Sequence, residues 1–543
     1  MERLWIFVPI RAGFYTGADR KMAIWRISST LKFTFLVAVF LVSGCANHVD
    51  LAEAPAESLV VQSVPDLNYL ATQDYYNELI SGAMPSIAEL TLFTNQLPKG
   101  GDLHHHYSGA LYVETYLDWV DKSHFCICLD NACQGSAKSG PEPVAKYEVV
   151  KNWKSGVCVS AGELRTKKKY SSFYRDVLTR WSNKDFDNHF HQQSPPDQQF
   201  FDTFGFFGSV SDYSYQAGLQ ALKERAVAEN VLYLETMLKS APAIDKPELA
   251  KTLNALNADS ADREIEAAFQ TYLDFLASNS ASKAAVEEYA RSHEQAATGI
   301  NDGSFMLRFQ TYVSRNSDPA KVFSGLYAAF AATQQTALIV GVNLVGPENG
   351  YIAMRDYSLH MKMLRFLRQH FPETKLSLHA GELVLGMVPP EGLKSHINEA
   401  LNIAGARRIG HAVDIVHETN AYQLLEQMKT DDVAVEINLT SNAFILGVDY
   451  EAHPLQLYRR YNVPYVISTD DAGVSRNNLS NEYLLFTSRY KPSYDELKAV
   501  VYNSIDYAFL HDEEKAGARR ELDKRFAAFE AQIAEQLEHE QYP

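Results

Sequence analysis

Pro98-Lys99-Gly100-Gly101-Asp102-Leu103-His104-His105-His106 is a short strand-like run that closes on three histidines. Side chains alternate along an extended chain, so His104 and His106 fall on one side and His105 on the other. A His-x-His pair of this kind can chelate one metal ion. Three further apolar runs end on polar groups in the same way: Leu378-His379-Ala380-Gly381-Glu382, Ile409-Gly410-His411-Ala412 and Ser468-Thr469-Asp470-Asp471. A buried strand that ends in imidazole or carboxylate must pair or ligate that group to offset its desolvation. Imidazoles with one carboxylate are the donor set of a catalytic zinc that keeps a position open for water.

Working outward, eight apolar, β-branched runs read as strands: 102–106, 231–236, 306–312, 337–345, 375–379, 407–411, 433–439 and 464–469. Helix-like stretches separate them; after the last, Leu497, Val500, Val501, Ile505, Ala508 and Phe509 are spaced to form one apolar face. Eight strand–helix units predict an α/β fold, a (β/α)8 TIM barrel over residues 98–543 in which catalytic groups gather at the C-terminal strand ends. Residues 67–97 read as a helical lead-in. Two insertions are expected, after strands 1 and 2. The first contains a cysteine-rich segment, 122–160, and the second, 246–297, is rich in Ala, Glu, Leu and Lys and reads as extra helices.

The chain has 543 residues, 46% apolar and 22% charged, which is globular usage and excludes a disordered or polytopic membrane protein. Its net charge of −17 argues against a binder of nucleic acid, which needs a basic surface. At the N-terminus a basic stretch to Lys32 precedes Phe33–Val42, ten residues with only Thr34 polar, too short to span a bilayer. Val42-Ser43-Gly44-Cys45 resembles a bacterial lipobox, so residues 1–44 read as a signal peptide, with Met1 or Met22 as start, and Cys45 as the lipidated residue. Removing residues 1–44 takes six basic and two acidic residues and shifts the charge from −17 to −21. Residues 45–66 read as a tether. The expected location is outside the cytoplasm, periplasmic or outer-membrane anchored, with the membrane met through the lipid anchor only. Export makes Cys126, Cys128, Cys133 and Cys158 candidates for two disulfides in any of three pairings, and their spacing fits zinc poorly.

The ordered set of Pro98–His106, His379-Ala380-Gly381-Glu382, Ile409-Gly410-His411-Ala412 and Ser468-Thr469-Asp470-Asp471 resembles the adenosine deaminase family of metal-dependent amidohydrolases, over about residues 95–515. The Pro-Lys-Gly-Gly start and the cysteine-bearing insertion look most like its secreted adenosine deaminase growth factor branch. Weaker echoes are Asn343-Leu344-Val345-Gly346, Glu436-Ile437, Thr440-Ser441-Asn442 and His453-Pro454. The resemblance implies one zinc ion per chain held by His104, His106, His379 and Asp470. It implies that His411 orients the attacking water and accepts its proton, and that Glu382, protonated, donates to N1 of a purine. Asp471 would bond N7 and the Gly346 N–H would meet N3. Departures stand at Ser108, where the family often has Asp facing the ribose, at Ala472 in place of Pro, and at Asn343 in place of Asp. They put ribose recognition in doubt.

The expected activity is therefore zinc-dependent deamination of adenosine, and of 2′-deoxyadenosine, to inosine-type product and ammonia. Two alternatives stand beside it: a related amidohydrolase acting on another aminopurine or a cyclic amide, and a non-catalytic surface lipoprotein. The expected partner is a small purine nucleoside. A homodimer and a surface partner for residues 122–160 are left open.

Overall fold

A computed structural model describes residues 66–136, 143–186 and 194–541. The signal segment, Cys45 and all but the last residue of the tether lie outside the described residues.

Among the described residues twelve strands are formed: β1 (Lys99–His106), β2 (Cys126–Cys128), β3 (Gln134–Ser136), β4 (Val149–Ser155), β5 (Cys158–Val159), β6 (Val231–Ser240), β7 (Met306–Ser314), β8 (Ile339–Val345), β9 (Ser377–Ala380), β10 (Arg408–His411), β11 (Ala434–Ile437) and β12 (Tyr465–Ile467). β1, β6, β7 and β8 make one parallel sheet, and β9, β10, β11 and β12 another. The two join at both edges. Val342 pairs with Leu376, its N–H donating to the Lys375 carbonyl at 3.0 Å, and His105 pairs with Asp470, whose N–H donates to the His104 carbonyl at 2.9 Å. The result is the eight-stranded barrel that the sequence predicts, with every strand overlapping its expected run. Strands such as Val231-Leu232-Tyr233-Leu234 are buried on both faces, as parallel strands covered by helices must be.

The lead-in forms two helices, Leu67–Ile80 and Ile87–Gln96. They pack against the long C-terminal helix Asp512–Gln541 and the barrel helix Tyr494–Asp506 through Phe93, whose ring lies 5.2 Å from Phe529 and 6.4 Å from Tyr494. The second insertion folds as the helices Pro247–Leu253, Asp262–Ser278 and Ser280–Ala296. The cysteine-rich insertion is a small antiparallel sheet, in the order β3-β4-β2-β5, stapled by Cys126–Cys158 and Cys128–Cys133. One of the three pairings open in the sequence is thereby selected. Downstream of it the helix Pro196–Phe207 lies across the mouth of the barrel against the helix Leu439–Leu446. Among the described residues no helix is long and apolar enough to cross a membrane.

Candidate active site

The four polar strand ends meet at one mouth of the barrel. His104 and His106 come from β1, His379 from β9, and Asp470 from the turn after β12; their ligand atoms lie within 4.8 Å of one another. His106 Nε2 is 3.2 Å from His379 Nε2 and 3.2 Å from Asp470 Oδ1, and His104 Nε2 is 3.5 Å from the same oxygen. His105 points the other way, its Nδ1 2.8 Å from Thr236 Oγ1.

The far nitrogens of two of these rings are held. His104 Nδ1 is 2.7 Å from Glu436 Oε2, and His379 Nδ1 is 2.9 Å from Asn343 Oδ1. Each oxygen accepts, so the proton of each ring sits on Nδ1 and the lone pair on Nε2 faces inward. His104 Nε2 is buried with no hydrogen-bond partner. Lone pairs converging at such separations repel unless a cation lies among them, so the donor set fits a metal ion.

A ring of buried polar groups supports this set from inside the barrel. Glu436 accepts from Arg408 Nε at 2.6 Å and from Ser377 Oγ at 2.7 Å. Arg408 also pairs with Glu235, which accepts from Gln310 at 2.9 Å, and Gln310 Oε1 accepts from Asn343 Nδ2 at 3.0 Å. The chain of contacts thus runs from His104 to His379. Although burial opposes it, Arg408 and His104 hold the Glu436 carboxyl down at about 2, so it stays charged. Asn343 therefore lies behind a metal-site histidine rather than beside a sugar. Its departure from Asp alters the support of His379, which corrects the expectation that it bears on ribose.

Glu382 and His411 stand over the donor cluster. Burial first, then Asp470 and Glu348, pushes the Glu382 carboxyl well above its ordinary range, which favours its protonated form. Its Oε1 has no partner. Glu348 fixes the turn that presents it: the N–H groups of Gly381 and Glu382 donate to Glu348 at 3.0 and 2.8 Å, and His396 Nδ1 lies 2.6 Å away. His411 Nε2 is unpartnered and 4.0 Å from Asp470 Oδ2. Burial and the neighbouring His104 lower its pKa to about 3. His411, Ala412 and Asp470 all adopt positive φ, at 67°, 49° and 59°. Non-glycine residues rarely hold that conformation, and it is concentrated here at two strand ends.

Two glycines make room for this geometry. A Cβ on Gly410 would sit 2.6 Å from His104 Cε1, and one on Gly109 would sit 1.5 Å from Asp471 Oδ1. Asp471 is buried, and burial together with Asp470 pushes its carboxyl up, so it carries a proton to donate.

The cavity above the cluster has a volume of about 380 Å³, within the range of small-molecule sites. Ser108, Gly346, Glu382, His411, Asp470 and Asp471 all line it. Its apolar wall is Phe200, Phe201 and Phe204 of the helix Pro196–Phe207, with Tyr312, Val345 and Pro347. Of these wall residues the sequence reading quoted only Val345, within Asn343-Leu344-Val345-Gly346; the aromatic density of Gln199-Phe200-Phe201-Asp202-Thr203-Phe204 is the signal that could have found three of the others. The cysteine-rich sheet contributes no lining residue among those described.

The adenosine deaminase family model matches residues 281–525. An adenosine deaminase of Clostridium perfringens is 30% identical over 179 residues, 33% of this chain and 48% of the relative. One from Aliivibrio fischeri is 32% identical over 162 residues, 29% of this chain and 45% of the relative. The chain spans about half the length of the curated relatives it matches. Among solved structures, an N6-mAMP deaminase from Arabidopsis has a TM-score of 0.48 at 16% identity, covering 80% of this chain and 99% of that one. An adenine deaminase from Arthrobacter aurescens has 0.49 at 16%, covering 79% and 98%. The matched segment carries His379, Glu382, His411, Asp470 and Asp471 in order, and the fold brings His104 and His106 to them. Over residues 281–525 the chain is similar to the adenosine deaminase family, and the curated relatives it resembles are adenosine deaminases.

Proposed function

We propose that the protein is a zinc-dependent deaminase of purine nucleosides, converting adenosine, and 2′-deoxyadenosine, to the inosine-type product and ammonia. One observation carries the reading: four metal donors, a protonated buried Glu382 and the free Nε2 of His411 converge on a single cavity. With bonds of about 2.0–2.2 Å, donor atoms sharing one zinc ion stand about 3–3.5 Å apart, and the separations of 3.2, 3.2 and 3.5 Å suit that. His104, His106, His379 and Asp470 would hold the ion. When bound, zinc lowers the pKa of water toward about 7 and makes a nucleophile available near neutrality.

The rest follows from the chain's own groups. Phe200, Phe201 and Phe204 offer an apolar face to the flat base. Asp471, protonated, donates to N7, an acceptor, and the Gly346 N–H donates to N3. A C–O bond forms at C6 as water adds, and Glu382 places its proton on N1. One proton of the added water passes to the amino group and the other returns to the Glu382 carboxylate, the C6–N bond breaks, and ammonia leaves. His411 Nε2 faces the attacking oxygen and orients it.

The cavity also selects against nucleotides. No Lys or Arg is among its described lining residues, so a phosphate would meet no cationic side chain there. The two disulfides suit an oxidising compartment and support an exported, lipid-anchored location through Cys45. The test is ammonia release from adenosine, 2′-deoxyadenosine, adenine and AMP by zinc-loaded protein. Nucleosides should be turned over at least tenfold better, in kcat/KM, than AMP; equal or better use of AMP contradicts the assignment.

A further inference from the structure

His411 has two ring nitrogens, and which one carries the proton decides what it can do. The contacts behind it settle the matter one hydrogen bond at a time. The backbone N–H of Leu455, a donor and nothing else, points at His453 Nδ1 at 3.2 Å. His453 Nδ1 must therefore be the lone pair, and the proton of the neutral ring lies on Nε2. His453 is neutral, since burial and Arg489 lower its pKa to about 3. His453 Nε2 lies 3.1 Å from Asn442 Oδ1, to which it donates. That contact orients the amide and turns Asn442 Nδ2 toward His411 Nδ1, 2.9 Å away. The Asn438 amide makes a second, longer approach to the same nitrogen at 3.3 Å. His411 Nδ1 is thus an acceptor, which leaves its proton on Nε2, facing the donor cluster.

We infer that His453 and Asn442 are positioning residues that lock neutral His411 as the Nε2–H tautomer, so that it offers the reacting oxygen a hydrogen-bond donor rather than a proton acceptor. This rests on the deaminase reading for the identity of that oxygen, but the tautomer itself stands on contacts that involve no substrate. It replaces the expectation that His411 takes the proton of the attacking water. A bare Nε2 would be needed for that, and the relay from the Leu455 backbone removes it. The helices that supply the relay explain two motifs otherwise without a role: Thr440-Ser441-Asn442 opens the helix Leu439–Leu446, and His453-Pro454 precedes the helix Leu455–Tyr461.

The test reads the tautomer directly. Zinc-loaded protein labelled with [15N]histidine is observed by long-range proton–nitrogen correlation, with His411→Gln identifying the His411 signals; the protonated and bare nitrogens of a neutral imidazole are well separated. The wild type should show a protonated Nε2 and a bare Nδ1. Asn442→Asp, the same shape with an acceptor in place of the amide donor, should move the proton to Nδ1. His453→Gln, whose amide can still donate to Asn442, should keep the wild-type pattern and a kcat within about threefold, whereas His453→Leu should lose both. A wild-type spectrum with Nδ1 protonated, or Asn442→Asp with an unchanged pattern, overturns the inference. The spectra are read without turnover, so inactivity toward adenosine with the Nε2–H pattern present would refute the substrate reading and leave the relay standing. If a variant does not fold, the wild-type spectrum decides alone.

Discussion

Glu436→Gln should loosen the metal without unfolding the protein. The carboxylate receives three donors in the barrel interior: His104 Nδ1 at 2.7 Å, Arg408 Nε at 2.6 Å and Ser377 Oγ at 2.7 Å. An amide of the same size has one acceptor oxygen, and its NH2 must face another donor. If the oxygen stays with Arg408, His104 loses the acceptor that fixes its tautomer and its aim. Loss of such a supporting partner typically weakens metal binding 10- to 100-fold, or about 1.4–2.8 kcal/mol. The fold should survive, because Arg408 keeps Glu235 and is not left as an uncompensated buried charge, the case that costs about 3–5 kcal/mol. The assay is competition for zinc against a chelator of known affinity, with circular dichroism to confirm folding. Ser377→Ala is the control: it removes one hydroxyl donor, worth about 1 kcal/mol, and leaves His104 paired. A folded Glu436→Gln with wild-type affinity, or an equal loss in Ser377→Ala, would refute the reasoning.

Four other outcomes are expected. Glu382→Gln should lower kcat by about 10²- to 10⁴-fold, the usual worth of a general acid, while its metal content, measured by elemental analysis, stays at the wild-type level. Gly109→Ala should displace Asp471, whose Oδ1 lies 1.5 Å from the new methyl position, and reduce kcat/KM by about 10²-fold with little change in chelator competition. The Cys126–Cys158 bond closes a 32-residue separation and the Cys128–Cys133 bond one of 5. Loop-closure entropy is then worth about 3–4 kcal/mol for the first and about 2 kcal/mol for the second, so proteolysis of the insertion should rise more in Cys158→Ser than in Cys133→Ser. Glu348 gives a pH dependence of definite sign. Burial works against it, but Arg315 and His396 hold its pKa down at about 2, against 4.5 unfolded. Its stabilisation, about 3 kcal/mol, is complete above pH 4.5 and is lost as pH falls toward 2. In Glu348→Gln that part of the acid limb of denaturation should be missing.

The barrel was legible because parallel strands buried on both faces must be apolar and β-branched, and each of the eight runs stands out from the amphipathic helices around it. Its polar ends were legible for the same reason, since His379, His411 and Asp470 break apolar runs where desolvation is costly. What lies beneath them was not. Glu235, Gln310, Arg408 and Glu436 are single polar residues inside strands, and nothing in their local spacing says that they close a ring with Asn343. Gly109 and Gly410 carry no pattern either; each is required by a side chain hundreds of residues away. The wall of Phe200, Phe201 and Phe204 comes from a helix between β5 and β6, and the alternation of strands and helices does not register its position over the mouth. The disulfide pairing was undetermined because four clustered cysteines have three solutions and only the register of β2 against β4 and β5 chooses.

The most direct trial of the central claim is the conversion of adenosine by protein carrying one zinc per chain, followed as ammonia release alongside Glu382→Gln. The wild type should give inosine and ammonia in equal amounts, a reaction abolished by a chelator, restored by zinc and reduced at least 100-fold in the variant. A zinc-loaded, folded protein that leaves adenosine and 2′-deoxyadenosine untouched would contradict it.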